Sequence, residues 1–334
     1  MASTGKSYGE GLRGGNAAAA LLVAAITAAF AAMSPTSGNA AQEGTSSARA
    51  ASGVATPAPA PAAGAEPLAD AAAAIATQPG AAADAKITPP DAAAVLYAIH
   101  QADSKGAPSL EVANGSIATY WFGHAFEMEG ARYYTGFVWE TRERYGKPGE
   151  DDIAPDTQVN LAEATFILDQ TSSQGVWKFR GMEPTIGEFG AYERAPEVDT
   201  RRKPREFRTA TGKLVLAVPT ESFENGITIS AYTLLVFTPP EQRKDESKDN
   251  VWAYAGSVLA GEDNGPACAD GDVMPCTRSE GELVFSANGT AELPRVTVQF
   301  SGTTIAGPGK TRKLGAADAI TYDYDETRKT YVER

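Results

Sequence analysis

Apolar and polar side chains alternate between Ile117 and Arg142, and the rest of the chain is organised around this stretch. A two-residue turn at Glu129-Gly130 folds it into an antiparallel hairpin, because glycine readily adopts the positive φ of such turns. Counting outward from the turn gives an aromatic face, with Phe126 opposite Tyr133, His124 opposite Thr135, Phe122 opposite Phe137 and Tyr120 opposite Trp139. The other face is polar or small, with Glu127 opposite Arg132, Gly123 opposite Gly136 and Thr119 opposite Glu140. We predict that the aromatic face belongs to the core.

A short helix is predicted before this hairpin. Asp91 is a good N-cap residue, and Gly106 and Pro108 are typical of a helix end. Apolar residues recur between them at helical spacing, at Val95, Leu96, Ile99 and Ala102. We expect this helix to pack on an edge or a face of the sheet.

Later segments rich in β-branched and aromatic residues predict further strands. They cover residues 165–168, 175–180, 213–218, 227–238, 251–259, 282–286, 295–301 and 319–324, with a last hairpin around a polar loop at 325–328. Polar loops are predicted at 145–155, 194–206 and 239–250. The pattern predicts a mainly β domain of antiparallel sheets, either sandwich-like or in stacked blade-like units, with one short N-terminal helix.

An internal repeat of about seventy residues is a further prediction for the second half of the chain. VWKFRG at 176–181 resembles VWAYAG at 251–256, and GKLVL at 212–216 resembles GELVF at 281–285. Ile227-Thr-Ile and Val296-Thr-Val follow at the same offset. Chance similarity between strands is the alternative.

The N-terminal region has the order of a bacterial secretory signal peptide. Lys6 and Arg13 precede the apolar residues 17–32, and small residues follow as far as Ala41. We predict a signal peptide at 1–41, cleaved after Ala40 or Ala41, and hence an exported protein, periplasmic or secreted. An uncleaved membrane anchor is the alternative, and it would be the only contact with a membrane.

Residues 42–86 consist almost wholly of Ala, Pro, Gly, Ser and Thr. Such a composition cannot bury enough apolar surface to offset the entropy of ordering, so it predicts a disordered Ala/Pro/Gly-rich linker. The remaining residues, 87–334, are long enough for a proper core and are predicted to form the β-rich globular domain. The formal net charge of −13 disfavours nucleic acid or an anionic membrane surface as a partner.

Cys268 and Cys276 lie close together in a Gly- and Pro-containing segment, which in an exported protein predicts a disulfide. Acidic residues surround them at Glu262, Asp263, Asp270 and Asp272. Grouped oxygen ligands suit Ca²⁺, so these four are candidate calcium ligands, although their spacing differs from the EF-hand pattern. The preferred interpretation is a solvated acidic turn, and no cofactor is expected; calcium binding is the alternative.

No catalytic motif stands out in the sequence. The two histidines, His100 and His124, are explained as structural residues, with a general base at His124 as the alternative. Five glutamates are plausible carboxylates for glycoside hydrolysis by residue type alone: Glu140, Glu143, Glu183, Glu188 and Glu193. Trp121 is assigned to the face opposite the aromatic pairs, where it is a candidate ligand contact unless a second layer covers it.

These features favour an exported, non-catalytic bacterial domain that acts by binding or as an accessory of the cell envelope. An envelope protein or a glycan is the expected partner. The alternative is a secreted, carboxylate-based hydrolase, for example of the glycosidase type, whose acidic groups converge only in the folded chain. The basic start, the apolar segment and the Ala/Pro linker predict where the protein is located, but they do not identify its ligand.

Overall fold

A computed structural model describes residues 87–144, 153–171, 175–243 and 250–334. Within these ranges, no helix is long and apolar enough to cross a membrane. The predicted signal peptide and linker lie outside the described residues, as do most of the predicted loop at 145–155 and half of the loop at 239–250.

The described residues form fifteen strands and two short α-helices. The helices are α1 (Ala92–His100) and α2 (Gly265–Cys268). The first ten strands are β1 (Ser109–Glu111), β2 (Ile117–Met128), β3 (Ala131–Glu140), β4 (Val159–Asp169), β5 (Val176–Phe189), β6 (Glu197–Val198), β7 (Arg205–Arg208), β8 (Leu214–Glu224), β9 (Ile227–Phe237) and β10 (Trp252–Asp263). The last five are β11 (Ser279–Ser286), β12 (Arg295–Gly307), β13 (Lys310–Lys313), β14 (Ile320–Asp325) and β15 (Thr330–Glu333).

These strands make three antiparallel sheets that follow one another along the chain, which confirms the predicted mainly β class. Sheet 1 has the order β1-β2-β3-β4-β5. Sheet 2 has the order β10-β9-β8-β6, and β7 also pairs with β8. Sheet 3 has the order β11-β12-β14-β15, and β13 also pairs with β12.

The first core lies between sheets 1 and 2. Its largest side chains are aromatic, and Trp252 makes edge contacts with Phe126 and Phe137 at ring distances of 5.7 and 5.1 Å. Leu214, Leu216 and other residues of sheet 2 complete this cluster. The aromatic face of the β2–β3 hairpin is therefore part of the core, as the alternation predicts, except for Tyr120, which packs beside Tyr134 in the cluster under α1.

The second core lies between sheets 2 and 3, on the opposite face of β8 and β9. Val215, Ala217 and Leu234 pack there against Val296 and Val298 of β12. The side chains of β8 thus alternate between two cores, and residues 214–220 are all buried. This double burial explains why the segment is a continuous apolar run instead of an alternating one.

Helix α1 covers the outer face of sheet 1. The Asp91 side chain accepts a hydrogen bond from the Ala94 N–H at 2.9 Å, as predicted for an N-cap, and Val95, Leu96 and Ile99 are buried. The helix ends at His100, before the predicted Ala102, because Gln101 takes the left-handed conformation that closes a helix.

The turn of the β2–β3 hairpin and the pairs as far as Phe122 opposite Phe137 match the predicted register. Beyond them the prediction is wrong, because a β-bulge at Trp121 shifts the register by one residue. Tyr120 therefore faces Val138, and Thr119 faces Trp139.

The predicted strands are all present, and most extend further than their sequence signals. The predicted loop at 194–206 contains β6 and the start of β7, which are too short to show a period. The repeat is not preserved in the strand pairing: Leu214 pairs with Phe237, whereas its counterpart Leu283 pairs with Val298, the counterpart of Ile229.

Candidate functional site

A cleft of about 1170 Å³ opens where the face of sheet 2 continues past sheet 3. Its floor includes Thr228, Ser230 and Tyr232, which alternate along β9 and so lie on one face of the strand. Tyr232 also belongs to the second core, so the floor is the continuation of that packed face. The start of β11 forms one wall, and residues 199–205 form the other.

Asp199 organises the second wall. Its buried carboxylate accepts hydrogen bonds from Nε of Arg201 at 2.9 Å and from Nε of Arg202 at 2.8 Å. Burial alone would raise the pKa of Asp199, but the hydrogen bonds from Arg201 and Arg202 outweigh it and lower the pKa below its usual value. The Arg202 guanidinium also lies over the Tyr232 ring, 4.8 Å from its centroid, and donates to the Thr220 carbonyl.

The other carboxylates of the cleft are mostly paired with arginine. Arg205 of β7 bonds to Glu282 of β11 and thereby links the two walls. Arg278 bonds to Glu280 at 2.9 Å. Lys203 and Glu262 also line the cleft, and neither forms an ion pair with another described residue.

A second polar group is sealed inside the first core. Glu163 is 1% exposed, and its carboxyl group accepts a hydrogen bond from the Thr165 hydroxyl at 2.7 Å. Further hydrogen bonds connect Thr165 to Thr135, because their Oγ1 atoms lie 2.8 Å apart. The Oγ1 of Thr135 also accepts a hydrogen bond from the indole N–H of Trp252 at 3.1 Å. Burial raises the pKa of Glu163 well above its usual value, and the facing carboxylate of Glu183 adds to the rise.

Sequence reasoning missed Glu163, although a signal was present. Every second residue of β4 lies on its core face: Val159, Leu161, Glu163 and Thr165. A carboxyl group therefore occupies a position at which the alternation predicts an apolar residue. Glu183 is among the five glutamates named by residue type, and none of those five lines the cleft.

His124 lies opposite Thr135, as predicted. Its ring stacks between Phe122 and Phe126, at centroid distances of 6.0 and 6.3 Å. Its Nε2 lies 2.7 Å from a carboxylate oxygen of Glu206 on β7, so the pair links sheet 1 to sheet 2. His124 does not line the cleft.

Trp121 does not lie on the polar face of the hairpin, and that part of the prediction is wrong. The bulge turns the indole into the first core, where it packs edge-on against Phe137 and Phe189 at ring distances of 6.5 and 5.1 Å. The indole N–H donates to the Pro196 carbonyl at 2.8 Å. The position and the contacts of Trp121 are therefore those of a residue that packs against the core.

Cys268 and Cys276 form the predicted disulfide, with their Cα atoms 5.2 Å apart. Of the candidate calcium ligands, Asp263 accepts the Gly265 N–H at 2.8 Å and lines the cleft together with Glu262. Asp270 and Asp272 lie within the disulfide-closed loop and do not line the cleft. Among the described residues, no group of three or more His, Cys, Asp or Glu side chains is placed to hold a metal ion, and calcium binding stays a prediction.

Comparison with models of protein families, with curated proteins and with solved structures found no match for this chain.

Proposed function

We propose that residues 87–334 form a non-catalytic, exported binding domain of the bacterial cell envelope, and that the cleft between sheets 2 and 3 binds its ligand. The observation that carries this proposal is the pairing of the carboxylates in the cleft with arginine. A general acid must hold a proton near neutral pH, and the lowered pKa of Asp199 is the opposite of that requirement. The disulfide and the predicted signal peptide support export.

The charges of the cleft indicate what the ligand presents. Lys203 offers a cation and Glu262 offers an anion, and both lack an ion pair among the described residues. A ligand that carries both an anionic and a cationic group fits this arrangement, and a segment of an envelope protein provides both. A glycan could also use the row of guanidinium and carboxylate groups through its hydroxyls.

A carboxylate-dependent hydrolase is the second candidate function. It is supported by the raised pKa of Glu163 beside Glu183 on the neighbouring strand, since one proton donor next to a second carboxyl group is the pattern of glycoside hydrolysis. The sealed position of Glu163 weighs against it, because a substrate has to reach its proton donor.

Binding to immobilised envelope proteins and to glycans tests the first proposal. Lys203→Glu and Glu262→Lys should each weaken binding about fivefold or more, and Lys310→Glu, an exposed change on β13 away from the cleft, should not. Equal binding by all variants would contradict a role for the cleft. Hydrolysis of a polysaccharide that is lost in Glu163→Gln would favour the second candidate instead.

A further inference from the structure

The first half of β5, residues 176–182, forms an open edge of sheet 1. β5 is the last strand of that sheet, and no other described strand pairs with its outer edge. The second half is covered, because the Glu183 carboxylate accepts the backbone N–H groups of Val251 and Trp252 at 2.6 and 3.0 Å. Among the described residues, the second half of this edge is therefore shielded and the first half has no strand beside it.

The bare half is unusually apolar for an exposed edge. Val176 is 50% exposed, Phe179 is 53% exposed and Met182 is 36% exposed. Tyr97 of α1, which packs beside β5, is 54% exposed. An exposed edge strand with apolar side chains is a template for pairing with another strand.

The charges on this edge select the partner. Lys178 and Arg180 are both exposed, and Arg180 has no ion pair among the described residues, whereas Lys178 is 2.6 Å from Asp169. β5 carries one extra residue relative to β4 at Arg180, because Phe179 pairs with Phe166 and Gly181 pairs with Thr165. Two copies of β5 that pair antiparallel about a two-fold axis at Phe179 bring Lys178 of one copy beside Arg180 of the other. An axis one residue away places one of these basic residues opposite its own copy. Like charges directly opposite each other are destabilising, so these three registers of a pair of copies are disfavoured, whereas a strand with acidic residues at these positions is favoured.

We propose that residues 176–182 bind an acidic, extended segment of a partner protein as an added sixth strand of sheet 1. Backbone hydrogen bonds along β5 provide affinity, and acidic side chains opposite Lys178 and Arg180 provide selectivity. Apolar side chains of the segment cover Phe179 and Met182. This surface is separate from the cleft, so the proposal does not depend on the proposed function.

The test is selection from an mRNA-displayed library of random dodecapeptides on the immobilised protein, with the Arg180→Glu variant used for counter-selection. The expected peptides combine apolar residues with Asp or Glu. Their affinity should fall about fivefold or more in Arg180→Glu, and also after N-methylation of alternate peptide amides. Lys310→Glu is the matched control, because it makes the same change of charge on β13.

Charge-swapped peptides, with Lys in place of Asp and Glu, should bind Arg180→Glu better than the wild-type protein. The proposal is overturned if repeated selection enriches no peptide sensitive to Arg180→Glu. It is equally overturned if N-methylation has no effect on the enriched peptides. Sedimentation that shows a dimer abolished by Arg180→Glu would assign the edge to a second copy instead.

Discussion

Glu163 of β4 and Glu183 of β5 are direct cross-strand partners at the interface of sheets 1 and 2. Burial raises the pKa of both carboxyl groups, although two backbone N–H groups stabilise the anion of Glu183 and oppose the rise there. Ionisation of either carboxyl group inside the core is therefore less favourable than in water.

Replacement of Glu163 by Gln should remove a pH dependence from the stability of the domain. Because its pKa is higher in the folded chain than the usual 4.5, the stabilisation from a neutral carboxyl group is complete below about pH 4.5 and is lost as the pH rises through the raised pKa. The free energies of unfolding of wild type and Glu163→Gln should thus diverge as the pH rises, with the variant the more stable. Urea titrations between pH 4 and 8 measure this, with the exposed Glu188→Gln on β5 as control. Parallel curves would show that Glu163 is not held neutral.

Gly136 allows α1 to approach sheet 1. A Cβ atom at this position would lie 2.7 Å from Cγ1 of Val95, closer than any packed contact. Gly136→Ala should therefore destabilise the domain by about 1–3 kcal/mol. Gly181→Ala on β5 is the matched control, since no atom lies within 4 Å of its added Cβ, and a change below about 0.5 kcal/mol is expected. Equal thermal shifts for the two variants would refute this account of the helix packing.

Trp121 should act on stability without acting on the cleft. Trp121→Phe removes the hydrogen bond to the Pro196 carbonyl and should cost about 1 kcal/mol. Trp121→Ala also removes the contacts with Phe137 and Phe189 and should cost about 2–4 kcal/mol. Chemical denaturation gives both values. Loss of ligand binding by a folded Trp121→Phe protein would restore the indole as a binding residue.

The disulfide between Cys268 and Cys276 closes a short loop next to the cleft. Replacement of both cysteines by alanine should lower the free energy of unfolding by about 2–3 kcal/mol, if the bond acts by restricting the unfolded chain. The wild-type protein in reductant should then unfold at the same urea concentration as the double variant. A reductant effect on the double variant itself would point to another cause.

The hairpin turn and the helix start could be predicted from the sequence, because interactions between residues close in the chain determine them. The Glu129-Gly130 turn sets the hairpin register, and Asp91 sets the start of α1. The bulge at Trp121 could not be predicted, because an extra residue in one strand leaves the alternation of the sequence nearly unchanged.

The cleft could not be predicted for a different reason. Asp199, Tyr232 and Glu282 come from three separate segments, and only the packing of sheet 3 on sheet 2 brings them to one opening. Glu163 could be predicted in part. The sequence shows that it occupies a position in β4 where apolar residues alternate, but its burial depends on sheet 2, which covers that face.

The position of β8 and β9 between two cores also bears on how the chain is made. Synthesis delivers both strands before β11, β12, β14 and β15, the strands that cover their second face. Leu234 and Val236 therefore remain exposed to solvent until the C-terminal residues leave the ribosome. A chain released early would carry a finished first core beside a bare apolar surface, and such truncated products should aggregate while the full-length chain does not.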